Sequence, residues 1–404
     1  MATLAGILVA DKYSNLDSGA AFLLSQKCNV SEVVYINSNE EVEVQEGCPY
    51  VVSRIRGASS ADDAFNKAYE VAQQGLDMLS ITGQADLSIQ NASDEYLVWW
   101  REQSTQILRV ATVTRIPVEI KPATYLLTDK DGNNIPPPSP PQPMYHESFR
   151  YLRLSQITDD LFDAFRNAYL ALELLLQHIT PKQRNEGEGN WLKRSLNSVN
   201  NVVPLSSVYS STSTDVALDI HDNIYKGIRC SIFHAKAQSR LTPQNLRDRK
   251  LVSEGLDSLI KIVLLITEHW FYANRPSGFM FHSGFDMWIQ PLVLNSNIAV
   301  SDNDLPCDNL DTLDQSILQK SVTMPTRFVP ELSKAGLNTI VGVIEADQLQ
   351  KLSKISEFTV INDSGLPISL NLKSFLTYES IDRLEAQIGI QHQNVRQAKQ
   401  FFKR

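Results

Sequence analysis

The sequence predicts an α+β multidomain chain in which a central all-α helical bundle is flanked by a mixed α/β N-terminal domain and a β-rich C-terminal domain. Three observations carry that expectation. Residues 136–143 read PPPSPPQP, six prolines in eight positions, a run short of backbone donors that favours an extended, stiff connector. After it, apolar residues recur at helical spacing; on both sides, short β-branched runs lie between polar turns. The expected boundaries are 1–135 for the α/β domain, 136–145 for the linker, 146–275 for the helical centre and 276–404 for the β-rich domain. A chain of 404 residues with 43% hydrophobic residues is long enough for more than one core.

In order, GILVA, EVVYI and YVVSRIRG suit strands, being apolar or β-branched runs bounded by turns. SADDAFNKAYEVAQQGLDMLS suits a helix: Ser60 can cap it, two aspartates occupy its first turn, and Ala61, Phe65, Ala68, Ala72, Leu76 and Leu79 form one apolar face. EYLVWW, ILRVATVTRIPVEI and ATYLL read as strands, with Trp99 and Trp100 as packing residues. LTDKDGNNI starts like a calcium loop, but counting from Asp129 the sixth and twelfth positions are Asn134 and Pro140, so it reads as a turn. Past the linker, Leu161, Phe165, Ala168, Leu172 and Leu175 mark a helix with Thr158 as its expected N-cap, ended by Pro181. GNWLKRSLNSV is a short second helix. Val216, Ile220, Ile224, Ile228 and Ile232 stripe a third, capped by Thr214 or a nearby serine, and the stretch from Leu241 to Arg275 predicts the last and longest. MWIQPLVL, NTIVGVI, EFTVIND and PISLNL read as strands, and YESIDRLEAQIGIQHQNVRQAKQFFKR as a closing amphipathic helix.

Composition narrows the function. The N-terminal stretch lacks the basic and apolar regions of a signal peptide, and the most apolar helix carries Lys261 and Glu268 and falls short of a membrane span. A cytoplasmic protein with no membrane partner is expected. Cysteines 28, 48, 230 and 307 show no metal-ligand spacing, so neither metal nor cofactor is expected. A net charge of −9 argues against a whole-protein grip on nucleic acid. Residues 146–275 nevertheless hold 16 Lys+Arg against 14 Asp+Glu. Lys236, Arg240, Arg247, Arg249 and Lys250 cluster there, as candidate RNA contacts or as a solvated basic loop. No GxSxG, GxxxxGK[ST], GxGxxG or HExxH pattern occurs, and His282, Ser283 and Asp286 read as a turn.

The pattern with chemistry in it is Arg229-Cys-Ser-Ile-Phe-His234. Together with FRNAYLALELLL and WLKRSL, it resembles the HEPN family of small helical domains, and is similar to bacterial proteins loosely labelled methylamine-utilisation-like, a label that implies no activity. The resemblance covers about 125 residues. It implies metal-independent RNA cleavage by a homodimer, in which the neighbouring 2′-hydroxyl attacks the phosphodiester. His234 would be the general acid or base, and Arg229 the clamp on the phosphate, with single-stranded RNA or tRNA as partner and stress or phage defence as setting.

Other observations pull the other way. Residues five apart on an ideal helix lie roughly 140° from each other, so the pair converges only where the helix ends or loosens. Cys230 stands where active members carry Asn, Asp or His, and a thiol orients a site poorly. Asp222 shares a face with Arg229 and is its expected surface partner. Arg166, Asn167 and Glu173 are expected either as a buried polar network or as the cleft wall opposite Arg229. The alternative function is therefore a catalytically silent dimerisation or binding scaffold, or a ligand sensor.

Overall fold

The computed structural model describes all residues except 12, 91, 93–94, 119–126, 129, 132–133, 136–140, 159, 212, 234–239, 274–281, 303–320, 350–351, 363–367, 380 and 395–404. The chain divides into two compact units, Met1–Val118 with Met280–Asn394, and Glu119–Phe279 with Val395–Arg404.

The expectation of a helical bundle between two separate flanking domains is wrong. The two flanks form one 14-stranded sheet. From the N-terminal segment come β1 (Ala2–Leu4), β2 (Ile7–Ala10), β3 (Ser18–Leu23), β4 (Glu32–Asn37), β5 (Glu40–Val44), β6 (Tyr50–Ile55), β7 (Glu95–Glu102) and β8 (Thr105–Val118). A two-residue pair, β9 (Leu127–Thr128) with β10 (Asn134–Ile135), brackets the expected turn. The C-terminal segment supplies β11 (Ser296–Ser301), β12 (Val322–Phe328), β13 (Leu337–Glu345), β14 (Ile355–Asn362), β15 (Ile368–Tyr378) and β16 (Arg383–Asn394). The order is β2-β1-β15-β14-β11-β12-β13-β16-β8-β7-β3-β6-β5-β4. Among the described pairings only β16 with β8 is parallel, in register from Arg383↔Ile107 to Asn394↔Val118.

The segments also interleave where β1 pairs with β15. One apolar core accordingly draws on both, with Leu4, Trp99 and Leu108 buried alongside Ile298, Ile340 and Leu384. Short runs show that a strand exists but carry no signal for which distant strand it joins.

Helix α1 (Ala61–Ile81) covers the sheet through Ala64, Ala68, Ala72, Leu76 and Leu79, and the Ser60 side chain accepts from the Asp63 amide at its start. β3 and β6 are buried along their whole length. Gly19 in β3 is a close approach: a Cβ there would lie 2.3 Å from Ser53 O and 2.3 Å from the Trp99 ring.

Two further expectations fail in this unit. MWIQPLVL belongs to a helix running His282–Leu294, which buries Phe285, Ile289 and Val293 at a spacing of four and leaves Met287 exposed; His282, Ser283 and Asp286 sit on it rather than in a turn. A short apolar run fits strand or helix alike, and here the spacing of four decides. The expected closing helix is instead β16, whose alternation of buried Leu384, Ala386, Ile388 and Ile390 (0–1% exposed) fits a strand hydrogen-bonded on both sides. Residues 395–404 of that expectation, and most of the proline run, lie outside the described residues.

The second unit holds α2 (Ser148–Ile157), α3 (Leu161–Ile179), α4 (Glu188–Val202), α5 (Val216–Ile220), a π-helical segment (His221–Arg229), α6 (Cys230–Phe233) and α7 (Leu246–Phe271). Phe165, Leu172, Leu196, Ile224, Val263 and Ile266 lie in one common core. Thr158 does not cap α3. It ends α2, an element without a clear sequence signature, and Asp160 caps α3 through the Asp163 amide. Asp215, not Thr214, caps α5. The helix starting at Leu246 is the longest, at 26 residues, but not the last, because His282–Leu294 follows it.

The π segment explains the apolar stripe. Ile220, Ile224, Ile228 and Ile232 are all buried, although their spacing of four, counted from Val216, drifts about 160° along an unbroken α-helix. The wider π winding, bonded one residue further back, turns about 80° per residue and removes most of that drift. Its closing bond runs from the Cys230 amide to Tyr225 O.

Candidate functional site

The π segment ends on Arg229, and this placement builds the site. The Arg229 guanidinium donates through Nη2 to Glu188 Oε1 at 2.8 Å, with side-chain exposures of 17% and 34%. Its Cζ lies 4.9 Å from the Phe233 ring centroid, 5.5 Å from that of Tyr225 and 5.6 Å from that of Tyr169, so three rings wall one cation. Glu188 stands in the first turn of α4, where the helix dipole favours an acid.

Glu173, on α3, faces the same pair. Burial first, then hydrogen bonding with Glu188 and the Glu188 charge, push the Glu173 carboxyl up to about 7, against the pull of Arg229. Burial works against the Arg229 charge, but Glu188, Tyr169 and Glu173 outweigh it and raise its pKa. The Tyr169 hydroxyl is raised by burial and by the Glu173 charge. It is fully buried and has no hydrogen-bond partner, and neither has Arg229 Nε.

The remaining candidates distribute unevenly. His234 and Lys236 lie outside the described residues. Asp222 does not hold Arg229: the π winding turns it away, and its Oδ1 instead meets His221 Nδ1 at 2.8 Å and Lys226 Nζ at 3.0 Å. Arg166 is exposed and paired with Asp163 at 2.7 Å, and Asn167 donates to the Asp163 carbonyl, so the expected buried network of Arg166, Asn167 and Glu173 does not form. Arg166 and Glu173 share a face of α3 but stand two turns apart, about 10 Å along the axis; Arg166 is taken up by Asp163 and Glu173 meets Glu188 instead. Arg166 does approach Arg229 indirectly, its Cζ 5.6 Å from the Phe233 ring. Arg240, Arg247 and Lys250 are exposed, and Arg249 is half-buried with Nη1 donating to Pro243 O.

Sequence reasoning missed Glu188, Tyr169, Tyr225 and His221. Glu188 is 41 positions from Arg229, and nothing local marks it. The one available signal is the charge of Arg229 itself, which once buried requires an anionic neighbour.

A cleft of about 350 Å³ opens beside the carboxyl pair, with Glu173 and Glu188 in its wall. Among the described residues there is no group of three or more His, Cys, Asp or Glu side chains suited to a metal, and no helix long and apolar enough to cross a membrane. Comparison with protein-family models, curated proteins and solved structures finds no match.

Proposed function

We propose that the helical unit is a catalytically silent, HEPN-like binding module, and that Arg229 serves its architecture. One observation carries this reading: the half-buried guanidinium packs against the rings of Phe233, Tyr225 and Tyr169 with its charge met by Glu188. A phosphate clamp needs an unneutralised cation facing the ligand. Here an incoming phosphodiester would meet two carboxyls at the same place, and Cys230 adds no orienting donor. Homodimerisation in the cytoplasm belongs to this proposal through the family resemblance.

The second reading, a metal-independent endoribonuclease with RNA as partner, is favoured by a specific feature. Arg166 and Arg229 both approach the ring of Phe233, the residue immediately before His234. In that reading Glu188 masks Arg229, so Glu188→Gln raises cleavage.

The deciding experiment incubates the full chain with labelled single-stranded RNA and tRNA in EDTA, beside Arg229→Ala, His234→Ala and Glu188→Gln. The binding module gives no cleavage in any of them. Cleavage by the wild type that disappears in folded Arg229→Ala and His234→Ala, and rises in Glu188→Gln, establishes the nuclease and ends the first reading.

A further inference from the structure

We infer that Cys28 and Cys48 join in a disulfide on exposure to a disulfide oxidant, a reversible bond that clamps the hairpin at one edge of the sheet. The pair lies in the sheet unit, so the inference is independent of what the helical unit does.

Strand register brings the two cysteines together. Leu23, the last residue of β3, pairs with Tyr50, the first of β6; Glu32, the first of β4, pairs with Val44, the last of β5. The β3–β4 and β5–β6 connections therefore leave the sheet at the same end. Cys28 lies in the first connection and Cys48 in the second. The Cys28 amide donates to Cys48 O at 3.0 Å, and the Gly47 amide donates to Cys28 O at 2.8 Å. Gly47 and Cys48 thus oppose Cys28 as a bulge, with Gly47 in the left-handed region at φ 77°.

This backbone suits the bond. Residues that meet across such a hydrogen-bonded pair have Cα atoms about 5.5 Å apart and side chains on one face. A disulfide needs Cα atoms about 4.4–6.8 Å apart, so only the side chains must turn. The Cys28 thiol donates to Val30 O at 3.1 Å, a weak bond to give up. The two sulfurs also lie within electrostatic reach. Burial first, and then Cys28 and Glu43, hold the Cys48 thiol above its ordinary value, against a backbone hydrogen bond at Tyr50.

Cys28 and Cys48 are free thiols, 3% and 4% exposed, but their cover is thin. Lys27 and Asn29 on either side of Cys28 are exposed, as are Glu46 and Gly47 before Cys48. Both connections lie outside the strands, so a local opening uncovers the sulfurs while the sheet stays folded. Buried thiols react slowly, and the rate of closing follows that opening.

The chemistry is thiol–disulfide exchange. One cysteine thiolate attacks a sulfur of the oxidant, whose S–S bond breaks and releases a thiolate. The second cysteine thiolate then attacks the protein sulfur of the mixed disulfide and expels the other half of the oxidant. Two electrons pass from the protein to the oxidant, and the two cysteine protons end on the released thiols. The new bond closes residues 28–48 into a loop that holds the whole β4–β5 hairpin. Among the described strands β4 is the terminal one, bonded to β5 alone, so a tie at the base of the hairpin restrains the edge most able to fray.

The test equilibrates the full chain at pH 8 with oxidised glutathione, with and without mild urea to open the connections. Free thiols are then alkylated, and the unreduced protein is digested for mass spectrometry. Expected is a peptide joining Cys28 to Cys48, two hydrogens lighter than its reduced parts and released by dithiothreitol. Oxidation should raise the melting temperature by about 5 °C or more and slow hydrogen exchange in Glu32–Val44. Cys28→Ser and Cys48→Ser, nearly isosteric and checked by circular dichroism, should show neither effect. The inference is overturned by both thiols remaining free in urea, by lasting glutathione adducts on them, by bonds to Cys230 or Cys307 instead, or by a melting temperature that oxidation leaves unchanged or lowers.

Discussion

At the scale of single residues, the Glu173–Glu188–Arg229 cluster links charge to stability. A carboxyl whose pKa is higher folded than unfolded binds more protons in the native state, so its contribution to stability falls as pH rises. For Glu173 the window runs from its ordinary value of 4.5 to about 7. The raised value therefore predicts a loss of about 1–2 kcal/mol across that window, after discounting for its partial exposure. Urea unfolding of wild type and Glu173→Gln between pH 4.5 and 7.5 checks this: the difference between them should open with rising pH and level off above 7. Removing the cation costs more broadly. Arg229→Ala leaves both carboxyls without their counter-charge and should destabilise the unit by about 2–3 kcal/mol, less than a fully buried pair because Glu188 is partly exposed. Thermal melts at pH 7 read that loss, and Arg229→Lys should recover only part of it, since an ammonium lacks the planar fork that meets Glu188 and the rings.

At the scale of elements, the helix carrying Arg229 shows what the sequence could reveal and where its signal stopped. The stripe Val216, Ile220, Ile224, Ile228, Ile232 was legible as a buried helical face. The π winding was not, because a spacing of four lies between the α and π periods and no residue type marks the change. The same ambiguity made MWIQPLVL read as a strand, and long-range pairing hid β16 behind a pattern that also fits an amphipathic helix. The site was half legible: Arg229 stood out by its motif, whereas Glu188 and Tyr169 come from other helices and are joined to it only by packing. The π segment also depends on a neighbour. Gly255 of α7 faces it so closely that a Cβ would lie 2.2 Å from Ile228 Cδ1 and 3.4 Å from Phe165. Gly255→Ala should therefore cost about 1 kcal/mol net, overpacking of 1–3 kcal/mol offset in part by the better helix propensity of alanine. Adding Ile228→Val removes the clashing methyl, and the double variant should melt closer to wild type than the sum of the singles, a coupling that a double-mutant cycle measures.

At the scale of the whole molecule, the boundary between N- and C-terminal domains that composition suggested has no counterpart, because β16 is hydrogen-bonded to β8 on one side and to β13 on the other. A fragment of residues 1–135 should not fold. It would expose the edge of β8, whose Leu108 and Val110 are buried in the full chain, and it would leave Arg109 without Glu385, its partner at 2.7 Å. A fragment of residues 141–273, which contains its own core, should give a helical spectrum and a cooperative melt. The reverse result for either fragment would show that the two units are not independent in folding. The β8–β16 junction also sets a schedule. Arg109 and Glu385 are 276 positions apart, and a ribosome adding about 5–20 residues per second needs roughly 15–55 s to span them. Through that interval the nascent chain carries half a sheet with an unpaired edge, while the helical unit, made in between from mostly local contacts, can already be complete. Chains stalled before residue 383 should for that reason engage chaperones heavily, and slowing translation downstream of the helical unit should prolong their exposure.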